Sequence, residues 1–117
     1  MEALDLVRSY AICGHLTLIT KSIFKKVLCR WSKINASGDW PEAREGHSSA
    51  IIRNNYIMIY GGLDESENLL ENMYLLDLRN SFWHKVDSIG SKPTKRDSQT
   101  CTQINNVCYI FGGQVII

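Results

Sequence analysis

The sequence lacks an excess of charge of either sign. Its 117 residues include 13 basic and 12 acidic side chains, for a formal net charge of +1. Nucleic acids and anionic membranes attract strongly basic surfaces, so this balance gives no electrostatic reason to expect either as a partner. We therefore predict neither nucleic-acid nor membrane binding.

Long hydrophobic runs are also missing. The most apolar stretch, residues 10–20, contains Gly14 and His15 and is too short to cross a bilayer. The first residues include Glu2 and Asp5, where a secretory signal would be basic. From these two absences we expect a cytoplasmic protein.

The cysteines show no spacing that indicates a metal site or a disulfide framework. Four residues, Cys13, Cys29, Cys101 and Cys108, form no C-x-x-C pair, and no histidine stands at ligand spacing from them. Secreted disulfide scaffolds are smaller and denser in cysteine. We predict reduced thiols acting as small apolar side chains, with one accidental disulfide as the alternative in a secreted chain.

Motifs of catalysis are absent as well. The sequence has no nucleophile elbow, no phosphate-binding glycine loop and no H-E-x-x-H. His15, His47 and His84 are scattered, without an evident carboxylate or cysteine partner. We predict a protein that is not an enzyme and carries no cofactor.

What the sequence does contain is an internal repeat. Trp31-Ser32-Lys33-Ile34 returns as Trp83-His84-Lys85-Val86, a shift of 52 positions. The same shift carries three further residues onto their counterparts: Gly38 onto Gly90, Pro41 onto Pro93 and Arg44 onto Arg96. Removing one residue near Arg53 then aligns Asn54-Asn55 with Asn105-Asn106 and Gly61-Gly62 with Gly112-Gly113. Two copies of one structural unit therefore follow one another.

Each unit is predicted to consist of β-strands. Residues 47–53 and 56–60 are rich in β-branched and aromatic side chains, and Asn54-Asn55 between them tolerates the positive φ of a tight hairpin. Residues 56–60 and 73–78 are apolar on both strand faces, so both faces must be covered. Sheets stacked around an axis provide that cover. Four strands in a period of about 51 residues predict the blades of a β-propeller.

The segment from Trp31 to Gln114 resembles kelch repeats, in the longer form with a P-x-x-R element. The matching elements are Pro41-Glu42-Ala43-Arg44 with Tyr60-Gly61-Gly62, and Pro93-Thr94-Lys95-Arg96 with Phe111-Gly112-Gly113. The resemblance implies an all-β fold of kelch-type β-propeller blades: an outer strand (31–35), one whole blade (roughly 44–89) and the inner half of the next (96–113). We predict kelch repeats over 31–114, a tail at 115–117 and a separate segment at 1–30.

Residues 1–30 match the repeat poorly and favour a helical segment. Apolar residues recur there at spacings of three and four, as in an amphipathic helix: Ile12, Leu16, Ile19, Ile23 and Val27. Gly14 and the largely β-branched stretch Thr-Leu-Ile-Thr at 17–20 weaken the pattern. We predict one or two amphipathic helices in this segment.

The number of repeats is smaller than a closed ring requires, since propellers have about four to eight blades. The strand at 107–112 would expose an unpaired edge, which native proteins usually avoid. We expect a fragment of a larger propeller, with self-association through unpaired blade edges as the alternative.

The predicted contact surface is the set of loops between blades, because recognition groups collect on the loops of rigid scaffolds. In some kelch adaptors the arginine that matches Arg44 and Arg96 binds acidic groups of a partner peptide, so the resemblance implies this role for both. The alternative is that both arginines bond internally and hold the blades together. His47 follows the same loop and is a further candidate.

A second candidate surface is the acidic stretch at 63–71, with Asp64, Glu65 and Glu67 as predicted contacts for a basic partner. Its spacing lacks the pattern of a calcium loop, so we predict no metal site. The sequence thus predicts a protein–protein interaction scaffold. The alternative is part of a propeller enzyme or enzyme modifier whose active residues lie on blades absent here.

Overall fold

The computed structural model describes residues 16–21 and 29–116, and the regular elements of these two ranges are β-strands. They are β1 (Leu16–Lys21), β2 (Cys29–Ile34), β3 (Ser37–Gly38), β4 (Ser48–Ile52), β5 (Tyr56–Tyr60), β6 (Met73–Asp77), β7 (Phe82–Val86), β8 (Thr100–Ile104) and β9 (Val107–Phe111). Over both ranges, no helix has the length and hydrophobicity needed to span a bilayer. The all-β prediction is confirmed for this part of the chain.

One blade is complete. Strands β4, β5, β6 and β7 form an antiparallel sheet in chain order, and the two-residue strand β3 adds to its outer side, parallel to β7. Gly38 makes that addition possible, because its φ is +91° and a Cβ there would lie 2.4 Å from the carbonyl oxygen of Trp83. This sheet is the whole blade predicted from the repeat.

Both faces of the blade are covered, as the two-sided apolar pattern of β5 predicts. On one face a buried cluster packs against Ile34 and Ala36 from the preceding segment; its members are Ile57, Ile59, Tyr74, Leu76 and Trp83. On the other face Met58 and Tyr60 are 3% and 2% exposed. The Tyr60 hydroxyl donates to the carbonyl oxygen of Pro93 at 3.0 Å, which ties that face to the second unit.

Two strand pairs flank the blade. The antiparallel pair β8–β9 repeats the inner hairpin β4–β5. The antiparallel pair β1–β2 repeats the outer hairpin β6–β7, because Ile19 opposes Trp31 as Leu76 opposes Trp83. Ile19 lies twelve positions before its tryptophan and Leu76 only seven. The different spacing before the tryptophan explains why residues 1–30 match the repeat poorly.

The predicted N-terminal helix lies mostly outside the described residues and stays a prediction there. Within that segment, the described residues Leu16–Lys21 form strand β1. Their β-branched side chains are restricted in a helix and suit a strand. Pairing with β2 supplies backbone partners that periodicity within residues 1–30 could not reveal.

The hairpin turn between β4 and β5 lies one residue earlier than predicted. Positive φ falls on Arg53 and Asn54, at 49° and 58°, and the Asn55 amide donates to the Ile52 carbonyl at 3.2 Å. In the second unit the turn does fall on Asn105-Asn106, between the paired residues Ile104 and Val107. The repeat therefore places both hairpins, with a one-residue error in the first turn.

Candidate functional site

Three connections meet at one edge of the blade, which we call the loop edge. They are residues 39–47 before β4, 61–72 between β5 and β6, and 87–99 after β7. Glu45 and Leu63 exchange backbone hydrogen bonds of 3.0 and 2.8 Å, and the Gly62 amide donates to the Arg96 carbonyl at 2.9 Å. All six predicted partner-binding residues lie in these connections.

Arg44 is buried within the loop edge and is not displayed on its surface. The residue is 1% exposed, and its guanidinium stands 5.2 Å from the centre of the Tyr74 ring. Nη1 donates to the Gly61 carbonyl at 3.1 Å, and Nη2 donates to Glu42 Oε1 at 3.0 Å. Burial lowers the pKa of Arg44, while the Glu42 carboxylate opposes that shift. This is the internal bonding considered as the alternative role of the P-x-x-R arginine.

Arg96 repeats the same pattern in the second unit. Its Nη1 donates to the Gly112 carbonyl at 2.9 Å, and its Nε and Nη2 donate to the backbone and side-chain oxygens of Thr94 at 3.0 and 2.8 Å. Each arginine thus fastens its own loop to the first glycine of the Gly-Gly pair that ends the inner hairpin. Arg96 remains partly exposed.

The position before the first strand of each unit is buried. His47 and its counterpart Gln99 are each 2% exposed. Gln99 Nε2 donates to Ser48 Oγ at 3.0 Å and to the Tyr60 carbonyl at 2.8 Å, so it joins the second unit to the blade. Gln99 is not among the residues predicted from the sequence to form the site. A polar residue replacing histidine at a repeated position was the signal that could have identified it.

The acidic loop, residues 63–71, is folded by its own first carboxylate. Asp64 Oδ1 accepts from the backbone amides of Ser66 and Asn68, both at 2.8 Å, and Oδ2 accepts from Asn68 Nδ2 at 3.0 Å. These hydrogen bonds, with the Asn68 side chain first, lower the pKa of Asp64. Glu65 and Glu67 are left exposed at the tip. Of the three predicted acidic contacts, Asp64 shapes the loop and the two glutamates are displayed.

Two cavities open along the loop edge beside the acidic loop. One of about 310 Å³ is lined by Ala43, Arg44, Glu45, Leu63, Asp64, Glu65 and Glu67. Another of about 690 Å³ lies between the acidic loop and the second unit, lined by Glu67, Asn68, Leu69, Glu71, Thr94, Lys95, Val115 and Ile116. Across the ranges described, no group of three or more side chains is placed to hold a metal ion. The exposed charge beside these cavities is predominantly carboxylate.

Comparison with known proteins agrees with the repeat and the blade. The family model described as the KLHDC2/KLHL20/DRC7 Kelch-repeats domain matches residues 17–116. The chain is 33% identical over 92 residues to Acyl-CoA-binding domain-containing protein 5 of Arabidopsis thaliana, covering 78% of this chain and 14% of that protein. It is 31% identical over 86 residues to Kelch domain-containing protein 3 of Rattus norvegicus, covering 73% of this chain and 22% of that protein.

A rice relative gives the same result. Acyl-CoA-binding domain-containing protein 6 of Oryza sativa subsp. japonica is 30% identical over 108 residues, covering 89% of this chain and 16% of that protein. The chain thus spans less than a quarter of the length of each of these relatives. The family match covers most of the chain, including the complete blade and all but the first residue of the flanking strand pairs. The chain belongs to the kelch-repeat family.

Proposed function

We propose that this chain is part of a kelch-type protein-interaction scaffold and that its loop edge contacts a protein partner. The observation that carries the proposal is the acidic loop, which is held in one shape by Asp64 and presents Glu65 and Glu67 to solvent. A loop ordered before binding loses less conformational entropy when a partner docks. Family membership supports the scaffold role, because kelch repeats generally bind protein partners.

The charge of the loop edge favours a partner with a basic surface. Glu45, Glu65 and Glu67 line one cavity together, whereas the guanidinium of Arg44 is bonded internally beneath them. Complementary charge steers encounter and selects among partners more than it adds affinity. In this proposal Arg44 and His47 support the surface from below, and the two exposed glutamates make the contact. Arg96, which is partly exposed, borders the contact from the second unit.

The proposal places the protein in the cytoplasm. Cys101 and Cys108 are free thiols on the neighbouring strands β8 and β9. Burial raises the pKa of Cys101 to about 12, which disfavours the reactive thiolate. Thiols that stay reduced suit a reducing compartment.

The test is site-directed cross-linking in cells of the source organism. A photo-reactive residue at position 65 should capture a protein that the same residue at position 80 does not, because Asn80 lies at the opposite edge of the blade. The captured protein should then bind a Glu65→Gln, Glu67→Gln variant more weakly, with a slower association rate at low salt.

The matched control adds the same charge change at the opposite edge. Asn55 and Asn80 are exposed there, so an Asn55→Lys, Asn80→Lys variant changes the net charge equally without touching the loop edge. Binding should survive in this control. Equal cross-linking at positions 65 and 80, or full binding by the double glutamine variant, would refute the proposed contact surface.

A further inference from the structure

A separate pocket opens where the first strands of the two units begin. It has a volume of about 240 Å³ and is lined by Gly46, His47, Ser98, Gln99 and Thr100. A water molecule occupies about 30 Å³ in the liquid, so the pocket has room for a side-chain head group. None of the carboxylates of the acidic loop lines it.

Gln99, which lines the pocket, has a buried acceptor that the described part of the chain leaves unpaired. Gln99 is 2% exposed, and no hydrogen bond to its Oε1 is formed among the described residues. The orientation of the amide follows from its neighbours: the Tyr60 carbonyl can only accept, so the atom 2.8 Å from it is the donating Nε2. Buried acceptors are normally paired, and an unpaired one needs a donor from outside.

Two further lining residues, Ser98 and Thr100, have hydroxyl groups that can accept hydrogen bonds. Each hydroxyl has a single hydrogen. Ser98 Oγ donates its hydrogen to Asp97 Oδ2 at 2.8 Å, and Thr100 Oγ1 donates to the Phe111 carbonyl at 3.3 Å. Only the lone pairs of both oxygens remain for the pocket. The carboxylate of Asp97, a residue 7% exposed, adds a negative charge behind Ser98.

We propose that this pocket binds a guanidinium or ammonium group, carried by an arginine or lysine side chain of a protein partner. These groups consist of donors alone, so they match the acceptor oxygens of Ser98, Gln99 and Thr100 without leaving an acceptor of their own unpaired. Hydrogen bonds from a cation are the stronger kind. The assignment of the cation to a protein partner rests on the function proposed above. The preference of the pocket for a cation does not depend on that function.

The experiment titrates small cations into the full chain and follows the backbone and Gln99 side-chain amide resonances by NMR. The probes are N-acetyl-arginine amide and N-acetyl-lysine amide for a protein side chain, and putrescine for a free amine. Saturable shifts at Gly46, Ser98, Gln99 and Thr100 with the two amino-acid amides support the proposal. Saturation by putrescine alone contradicts the protein source.

Variants separate a cation site from a pocket that holds only water. A Ser98→Ala, Thr100→Val variant removes two acceptors at exposed positions, so it should fold and bind the arginine amide roughly tenfold or more weakly. Thr102→Val is the matched control, because Thr102 lies on the same strand and does not line the pocket. Its affinity should equal that of the unaltered chain.

Three results would overturn the proposal. They are no saturable shift with any cation, equal shifts with the neutral N-acetyl-norleucine amide, and unchanged affinity in the Ser98→Ala, Thr100→Val variant. If the pocket binds no cation, the loop-edge contact tested by cross-linking at position 65 is not affected. Conversely, saturable cation binding with no partner cross-linked at position 65 would contradict the loop-edge contact and leave the pocket standing.

Discussion

Equivalent residues of the first and second repeat units differ in how deeply they are buried. Ile59 in β5 is fully buried, whereas its counterpart Ile110 in β9 is only partly buried. Tyr60 is 2% exposed and its counterpart Phe111 is 81% exposed. In the first unit β6 pairs with β5, and the second unit covers the Tyr60 face. The same hairpin is thus present in both units, whereas the neighbouring sheets determine how deeply it is buried.

The two P-x-x-R arginines likewise form equivalent hydrogen bonds but differ in how deeply they are buried. Arg44 and Arg96 each donate Nη1 to the carbonyl of a strand-ending glycine and Nε to the carbonyl two residues before. Only Arg44 has a Tyr74 ring beside it and is 1% exposed. The hydrogen bonds of each arginine are therefore formed with its own loop and inner hairpin, whereas the burial of Arg44 depends on β6.

The largest expected difference between the units is in their apolar cores. Ile59→Ala should lower the free energy of unfolding by about 3–4 kcal/mol, because it empties a fully buried site. Ile110→Ala should cost about 1 kcal/mol, since Ile110 is partly exposed. Urea unfolding followed by circular dichroism measures both. Equal losses would mean that β9 is covered in solution as completely as β5.

A smaller difference is expected between two glycines with the same backbone. Gly61 and Gly112 have φ of +70° and +72°, but a Cβ on Gly61 would lie 2.6 Å from the Arg96 carbonyl oxygen, and one on Gly112 would meet no atom within 4 Å. Alanine at either position carries strain of about 1–2 kcal/mol from the left-handed backbone. Gly61→Ala should therefore cost about 3 kcal/mol, and Gly112→Ala about 1 kcal/mol.

The glycine pair tests the approach of the second unit to the blade. The strain common to both variants cancels in the difference between their unfolding free energies, which leaves the contact with Arg96. A difference near zero would contradict that close approach. Thermal unfolding of the two variants in one buffer is sufficient, since the comparison needs no absolute value.

The arginines should differ less. Arg44→Met keeps the length of the side chain but removes the donors to the Gly61 carbonyl and Glu42, at a cost of about 2 kcal/mol. Arg96→Met removes the donors to the Gly112 carbonyl and to the Thr94 hydroxyl at a partly exposed site, and should cost less than about 1 kcal/mol. Chemical unfolding of both variants gives the ratio. A larger loss for Arg96 would reverse the assignment of burial to β6.

The repeat allowed much of this fold to be predicted from sequence. The Gly-Gly pairs, the paired asparagines and the two-sided apolar run at 56–60 define local structure, and the hairpins follow with a one-residue error at Arg53. β1 could not be predicted, because its pairing with β2 spans a connection longer than that between β6 and β7. Periodicity within one segment carries no information about such a partner.

The sequence predicted which residues lie at the loop edge, but it did not predict the contacts that these residues make there. Conserving the P-x-x-R spacing between the two units indicated that Arg44 and Arg96 share a role, but the cover provided by Tyr74 comes from a different strand. Likewise, the acceptor of Gln99 becomes visible only once Nε2 is seen to reach Tyr60, 39 positions away in sequence. Contacts between residues that are distant in sequence could not be predicted from the residues alone.

The smallest expected effect lies at the opposite edge of the blade, where the outer hairpin turns. Arg79 donates to both oxygens of Asp77 at 3.0 and 2.7 Å, and its backbone amide donates to Oδ1 at 2.9 Å. The side-chain bonds from Arg79, followed by its backbone amide, lower the pKa of Asp77 to about 2. The register position of Asp77 in the β1–β2 pair is occupied by Thr20, which carries no carboxylate.

A lowered pKa in the folded state fixes the sign of the pH dependence. The stabilisation from Asp77 is fully present above its unfolded pKa of about 3.9 and disappears as the pH falls through about 2. Asp77→Asn should therefore lower the urea midpoint at pH 5, and its difference from the unaltered chain should become much smaller towards pH 2. Arg79→Ala should abolish most of this pH dependence, because it removes the side-chain bonds that cause the shift. If the difference between Asp77→Asn and the unaltered chain were the same at pH 5 and pH 2, the ion pair would not stabilise the turn.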